Sequence, residues 1–130
     1  MKPTLKTTTL VFAGGALGTW GRWLIGEGTA WFVASSAPSG YSVWFDPTFL
    51  MLAIVNILGS AALGFVNAHK SFQTDEKRAF WAVGFCGGFT TMSTLAVWNL
   101  ATFSLISVGL VFAMFAAGIV AYGAVNKWSR

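Results

Sequence analysis

The chain has 130 residues, 55% of them apolar and only 9% charged, with a formal net charge of +4, a pI of about 9.7 and a mean hydropathy of +0.67. A soluble domain this short cannot hide so much apolar surface inside itself, so most soluble folds are excluded and lipid is the missing solvent. The basic balance does not indicate nucleic acid. No basic patch is interleaved with exposed aromatics, and the Lys and Arg residues flank apolar runs, where lipid headgroups would meet them.

A helical crossing takes about 20 apolar residues, so the length allows one domain with at most four crossings. The chain starts Met1-Lys2-Pro3, and Lys6 precedes the first apolar run. That run, 8–25, reads as a retained helix. Its Gly-rich pattern and Arg22 would be foreign to a cleaved leader. The stretch 26–48 reads as a long loop with Pro38 and Pro47 as breakers, while Trp31, Phe32, Trp44 and Phe45 suit the membrane interface. The second span is predicted over 49–68, followed by a charged connection over 69–78. The third is predicted over 79–100 and the fourth over 103–126, with almost no break between them near 101–104. The expected fold is therefore an all-α membrane protein of four transmembrane helices. Cys86, the sole cysteine, rules out an intrachain disulfide and reads as a packed thiol.

Four crossings put both termini and the middle connection on one side. That side holds Lys2, Lys6, Lys70, Lys77, Arg78, Lys127 and Arg130, and the other holds only Glu27 and Asp46. By the positive-inside rule the termini face the cytoplasm, across the inner (plasma) membrane of the cell, and insertion has a single orientation. Gly14 with Gly18, Gly59-Ser60 with Gly64, Gly84 with Gly88, and Gly118 with Gly123 are spaced for close helix packing in lipid, which is the only role they need.

Polar groups are costly in lipid, so the few within the spans are informative. Arg22 near the end of the first span has two readings. It is an anchoring or helix-capping side chain, or a vestibule cation that attracts anions. Asn56, central in the second span, either bonds a neighbouring helix or offers two N–H donors to a dehydrating anion. In the third span, Gly84-Phe85-Cys86-Gly87-Gly88-Phe89-Thr90-Thr91-Met92-Ser93-Thr94-Leu95 is poor material for an unbroken helix. A break is expected near 87–91, where freed carbonyls could hold a small cation while Thr90, Thr91, Ser93 and Thr94 supply hydroxyls to an anion. A kinked packing helix is the plainer alternative. No Asp, Glu or His falls within a predicted span, which counts against proton-coupled transport. No nucleophile–base pair, metal cluster or phosphate loop is visible, so catalysis is not expected.

The run 84–95 resembles the third helix of the Fluc (CrcB) fluoride channels. Gly14-Gly15-Ala16-Leu17-Gly18-Thr19-Trp20-Gly21-Arg22 is similar to that family's Gly-rich opening, and Val55-Asn56-Ile57-Leu58-Gly59 to its Asn-x-x-Gly element. The resemblance covers essentially the whole chain, apart from the long first loop. It implies an antiparallel dimer with fluoride paths and a central Na+ held by carbonyls at the breaks of the third helices. On this chain those ligands would be the Gly87 and Thr90 carbonyls. Asn56 would be the pore asparagine, and Thr91, Ser93 and Thr94 would lie by the anion path.

The chain also departs from the family pattern. Met92 and Leu95 stand where the family places ion-lining phenylalanines, Trp98 stands near the usual acidic residue, and the fourth span is short of the hydroxyls of a polar track. With the one-sided charge, these departures suggest pairing with a homologous subunit of opposite orientation. The expected function is passive fluoride efflux that limits cytoplasmic fluoride toxicity. A non-conducting scaffold subunit and a small multidrug-type transporter are the alternatives.

Overall fold

The computed structural model describes residues 4–36 and 46–129, all of whose regular elements are helical. Pro38, Trp44 and Phe45 of the first connection, with Lys2 and Arg130, lie outside the described residues. Helix α1 runs Leu5–Ser36 and α2 runs Pro47–Ala68. After a 3-10 turn at Lys70–Phe72 comes the third helix: α3 (Asp75–Arg78), a π-helical segment (Ala79–Phe85) and α4 (Cys86–Phe89). The chain is then non-helical until α5 (Ser93–Ala101), and α6 (Leu105–Trp128) closes the bundle. Three stretches, Pro47–Ala68, Asp75–Ala101 and Leu105–Trp128, are long and apolar enough to cross a membrane.

Two boundaries differ from the sequence reading. The first helix does not stop at Ile25. It continues to Ser36, so Trp31 and Phe32 are helical rather than part of a loop, and Glu27 lies within a helix. Gly26 and Gly28 each cost a helix only about 1 kcal/mol, and no stronger breaker occurs before Pro38. The third helix starts at Asp75, inside the expected connection. Thr74 caps it, its Oγ1 accepting from the Lys77 N–H at 3.4 Å, and Asp75 and Glu76 complement the dipole of the first turn. Elsewhere the caps fall as the residues suggest. Asp46 Oδ1 accepts from the N–H groups of Thr48 and Phe49, with Pro47 in the first turn of α2. Ser104 and Ser107 form a reciprocal capping box on α6.

Glycines set the packing of α1 on the third helix. A Cβ on Gly14 would land on the Phe80 carbonyl, one on Gly18 on the Phe85 carbonyl, and one on Gly88 on the Gly15 carbonyl. The two backbones are thus in contact over two turns, closeness that only absent side chains allow. On the far side of the third helix, Leu52, Leu95, Trp98 and Met114 form the core, with Phe49 stacked on Trp98 at 5.1 Å. Lys6 pairs with Glu76, and Asn126 Nδ2 donates to the Gly64 carbonyl at 3.1 Å. The start of α1, the 69–78 connection and the end of α6 therefore share one end of the bundle. Much of the outer surface is apolar: Phe12, Trp31, Phe112 and Ile119 are each 70–79% exposed. Water would not tolerate such a surface, and lipid or a partner would.

Candidate functional site

The third helix opens at 90–92. Thr90 leaves the helical path with φ −80° and ψ 158°, behind a last helical bond from its N–H to the Cys86 carbonyl at 3.1 Å. Glycines at 87 and 88, then a β-branched pair, make continuation unfavourable. Backbone groups released inside an apolar bundle must find partners, and two neighbouring helices supply them. From α2, Asn56 Oδ1 accepts the Thr91 N–H at 3.0 Å while Asn56 Nδ2 donates to the Thr91 carbonyl at 3.3 Å. The amide thus imitates a peptide group. From α1, Arg22 Nη1 donates to the Thr90 carbonyl at 3.1 Å, and Thr19 Oγ1 reaches the Gly88 carbonyl at 3.5 Å. Arg22 of α1 and Asn56 of α2 thus both hold the break.

Beyond the break, the Thr91 hydroxyl starts α5. It accepts from the Thr94 N–H at 3.3 Å and lies 3.0 Å from Thr94 Oγ1 and 3.3 Å from Ser93 Oγ. Alongside the break is a partly open cavity of about 430 Å³ between α2, the third helix and α6. Asn56, Gly87, Thr90, Met92 and Leu95 all line it. Thr91, Ser93 and Thr94 do not. Thr91 is buried and shares its hydroxyl with the other two, so this trio forms a cluster next to the cavity. Arg22 also stands off the cavity, reaching it through the Thr90 carbonyl. Met92 is 55% exposed on the rim, and Leu95 belongs to the core. Neither offers a donor.

A cation at the Gly87 and Thr90 carbonyls can be tested against these contacts. The N–H that would close the helical bond to Gly87, that of Thr91, is turned to Asn56, and space around Gly87 is open. The Thr90 carbonyl already accepts from Arg22, which leaves it one lone pair. Oxygen-only ligands suit a hard ion, and no group of three or more His, Cys, Asp or Glu able to hold a metal is present among the described residues. The two carbonyls are oxygen donors of the kind Na+ takes, although the Arg22 guanidinium beside the Thr90 oxygen opposes a second cation there.

Residues 9–126 match the family model described as CrcB-like protein, Camphor Resistance (CrcB). The chain belongs to the CrcB family. A relative named fluoride-specific ion channel FluC, from Roseobacter denitrificans, is 34% identical over 92% of this chain and 98% of its own length. One of that name from Pseudomonas syringae pv. maculicola is 30% identical over 91% of this chain and 94% of its own. Fluoride-specific ion channel FluC 2 of Corynebacterium jeikeium is 34% identical over 71% of this chain and 58% of its own. No solved structure matches the chain. Ser60, Met114 and Tyr122, which the sequence does not single out as site residues, also line the cavity. The only sequence signal for Ser60 was its place one turn after Asn56 on α2.

Proposed function

We propose that this CrcB-family chain is a subunit of a fluoride channel, a conduit rather than an enzyme, through which fluoride leaves the cytoplasm passively. The observation that carries the reading is the break at 90–92, opened against Asn56 on the wall of a cavity. Its relatives are named fluoride-specific ion channels. Fluoride holds its water tightly, so a path must replace that water with N–H and O–H donors. The Asn56 amide also approaches Met114 Sδ at 3.6 Å. A thioether is a weak acceptor, and an anion in the cavity displaces it. Arg22 places positive charge behind Thr90, which favours an anion nearby. The Thr91, Ser93 and Thr94 hydroxyls offer further donors beyond the break.

In this reading α1 is a fourth crossing, the termini are cytoplasmic and the membrane is the cell's inner (plasma) membrane. Seven basic residues in the termini and the 69–78 connection, against none in the other two connections, favour a single orientation. An antiparallel assembly then needs a homologous subunit inserted the other way, whose surface would cover the open side of the cavity. Na+ between the paired Gly87 and Thr90 carbonyls would neutralise the facing peptide dipoles. Met92 and Leu95 support a second reading, a scaffold subunit whose own path does not conduct.

Fluoride efflux from liposomes tests the proposal, with the chain reconstituted alone and together with an oppositely charged homologue. Flux that requires both chains and is abolished by Asn56→Ala is the expected result. Full flux from the chain alone would remove the heterodimer and keep the channel. Flux from the pair that is indifferent to Asn56→Ala would leave this chain as scaffold.

A further inference from the structure

The two walls of the cavity differ in chemistry. On α6 it is lined by Met114, Phe115, Gly118 and Ile119, with no side-chain donor until Tyr122. On α2 it is lined by Asn56 and, one turn on, Ser60. Ser60 Oγ makes no hydrogen bond among the described residues, although hydroxyls on helices usually bond back to the preceding turn, as those of Thr9 and Thr102 do here. Its neighbour across the groove is Gly118, where an added Cβ would come within 3.1 Å of Ser60 Oγ. The glycine thus leaves room beside an uncommitted hydroxyl.

The polar row continues along α2. Asn67 Nδ2 donates to Tyr122 Oη at 3.3 Å, and Arg78 Nη2 donates to Asn67 Oδ1 at 3.5 Å. Tyr122 Oη accepts from Asn67, so its own O–H is uncommitted among the described residues, and Tyr122 lines the cavity. Arg78 borders a second, smaller hollow that shares Ala82 with the main cavity. From Asn56 to Asn67 is eleven residues of helix, about 16 Å, or half the thickness of a bilayer core. The polar residues are thus spread from the break toward the basic end of the bundle.

We infer that the polar track of this subunit runs from Tyr122, late in α6, to Ser60 and Asn56 on α2: fluoride passes from the Arg78 end along the Tyr122 and Ser60 hydroxyls to Asn56. The inference rests on the channel reading and adds the route. A small anion receives one O–H donor at each step, while the apolar α6 wall keeps the groove from filling with water. Gly118 keeps a side chain from pressing on the Ser60 hydroxyl.

The test compares fluoride efflux from liposomes holding the channel, with its partner, for Ser60→Ala, Ser60→Thr, Tyr122→Phe and Asn56→Ala. Loss of one hydrogen bond to an ion is expected to slow flux about tenfold in Ser60→Ala and in Tyr122→Phe. Ser60→Thr, which keeps the hydroxyl, restores most of it, as a packing role would not. If Ser60→Ala and Tyr122→Phe conduct at the parental rate while Asn56→Ala does not, the route is wrong and the channel stands. If Asn56→Ala also conducts normally, the site itself is misplaced and both readings fall.

Discussion

The two halves of the third helix are held in opposite ways. Before the break, the π-helical segment and α4 lie backbone against backbone on α1, through glycines on both partners. After it, α5 touches the bundle mainly through Leu95 and Trp98, and leaves Val97 and Leu100 67% and 78% exposed. The first half fixes the depth of the break. The second half keeps a face open to lipid or to another subunit. An ion site needs such an arrangement, because freed peptide groups are useful only if something rigid prevents the helix from closing over them.

The glycine seam is where that contrast breaks most severely. Gly14→Val would drive a branched side chain into the Phe80 carbonyl, in a place where neither backbone can retreat without opening the whole contact. Loss of nearly all monodisperse protein on size exclusion in detergent is expected. Gly123→Ala, where nothing lies within 4 Å, should behave as the parent does.

Next in size is Asn56→Ala, which leaves the Thr91 N–H and carbonyl without their partner at about 1–3 kcal/mol each. A fall of several degrees or more in thermal midpoint in detergent is expected, beside the loss of flux. An unchanged midpoint would mean the break needs no help from α2. Arg22→Gln removes one charge-assisted bond to the Thr90 carbonyl, worth about 1.5–3 kcal/mol before solvent screening of a half-buried group. Its midpoint should fall less than that of Asn56→Ala.

The smallest effect is expected at Trp98→Phe. The indole Nε1 is buried without a hydrogen-bond partner among the described residues, so removing it relieves an unmet donor while giving up part of a ring. The change should stay within about 1 kcal/mol of zero in an unfolding titration. A large loss would show that Nε1 has a partner in the membrane.

The sequence announced the break and hid what holds it. Gly87-Gly88 followed by Thr90-Thr91 is a local statement about helix propensity, so the opening could be read from composition alone. That Arg22 reaches the Thr90 carbonyl, 68 residues away, depends on how closely α1 approaches, and glycine spacing shows closeness without showing register. The first helix runs past Ile25 because Gly26, Gly28 and the interfacial aromatics, although loop-like in composition, do not stop a helix. Thr74-Asp75-Glu76 was a cap signal in plain view, masked by the surrounding charge. The π-helical turn at Ala79–Phe85 had no sequence signal at all.

The central claim is that an anion meets the protein at the Asn56 amide beside the opened helix. Its most direct test is the side-chain 15N–1H resonance of Asn56 in the reconstituted channel, assigned with Asn56→Ala and titrated with fluoride and then chloride. A saturable shift with fluoride, absent with chloride, is what the account predicts. A resonance that ignores fluoride while the channel still conducts it would contradict the account.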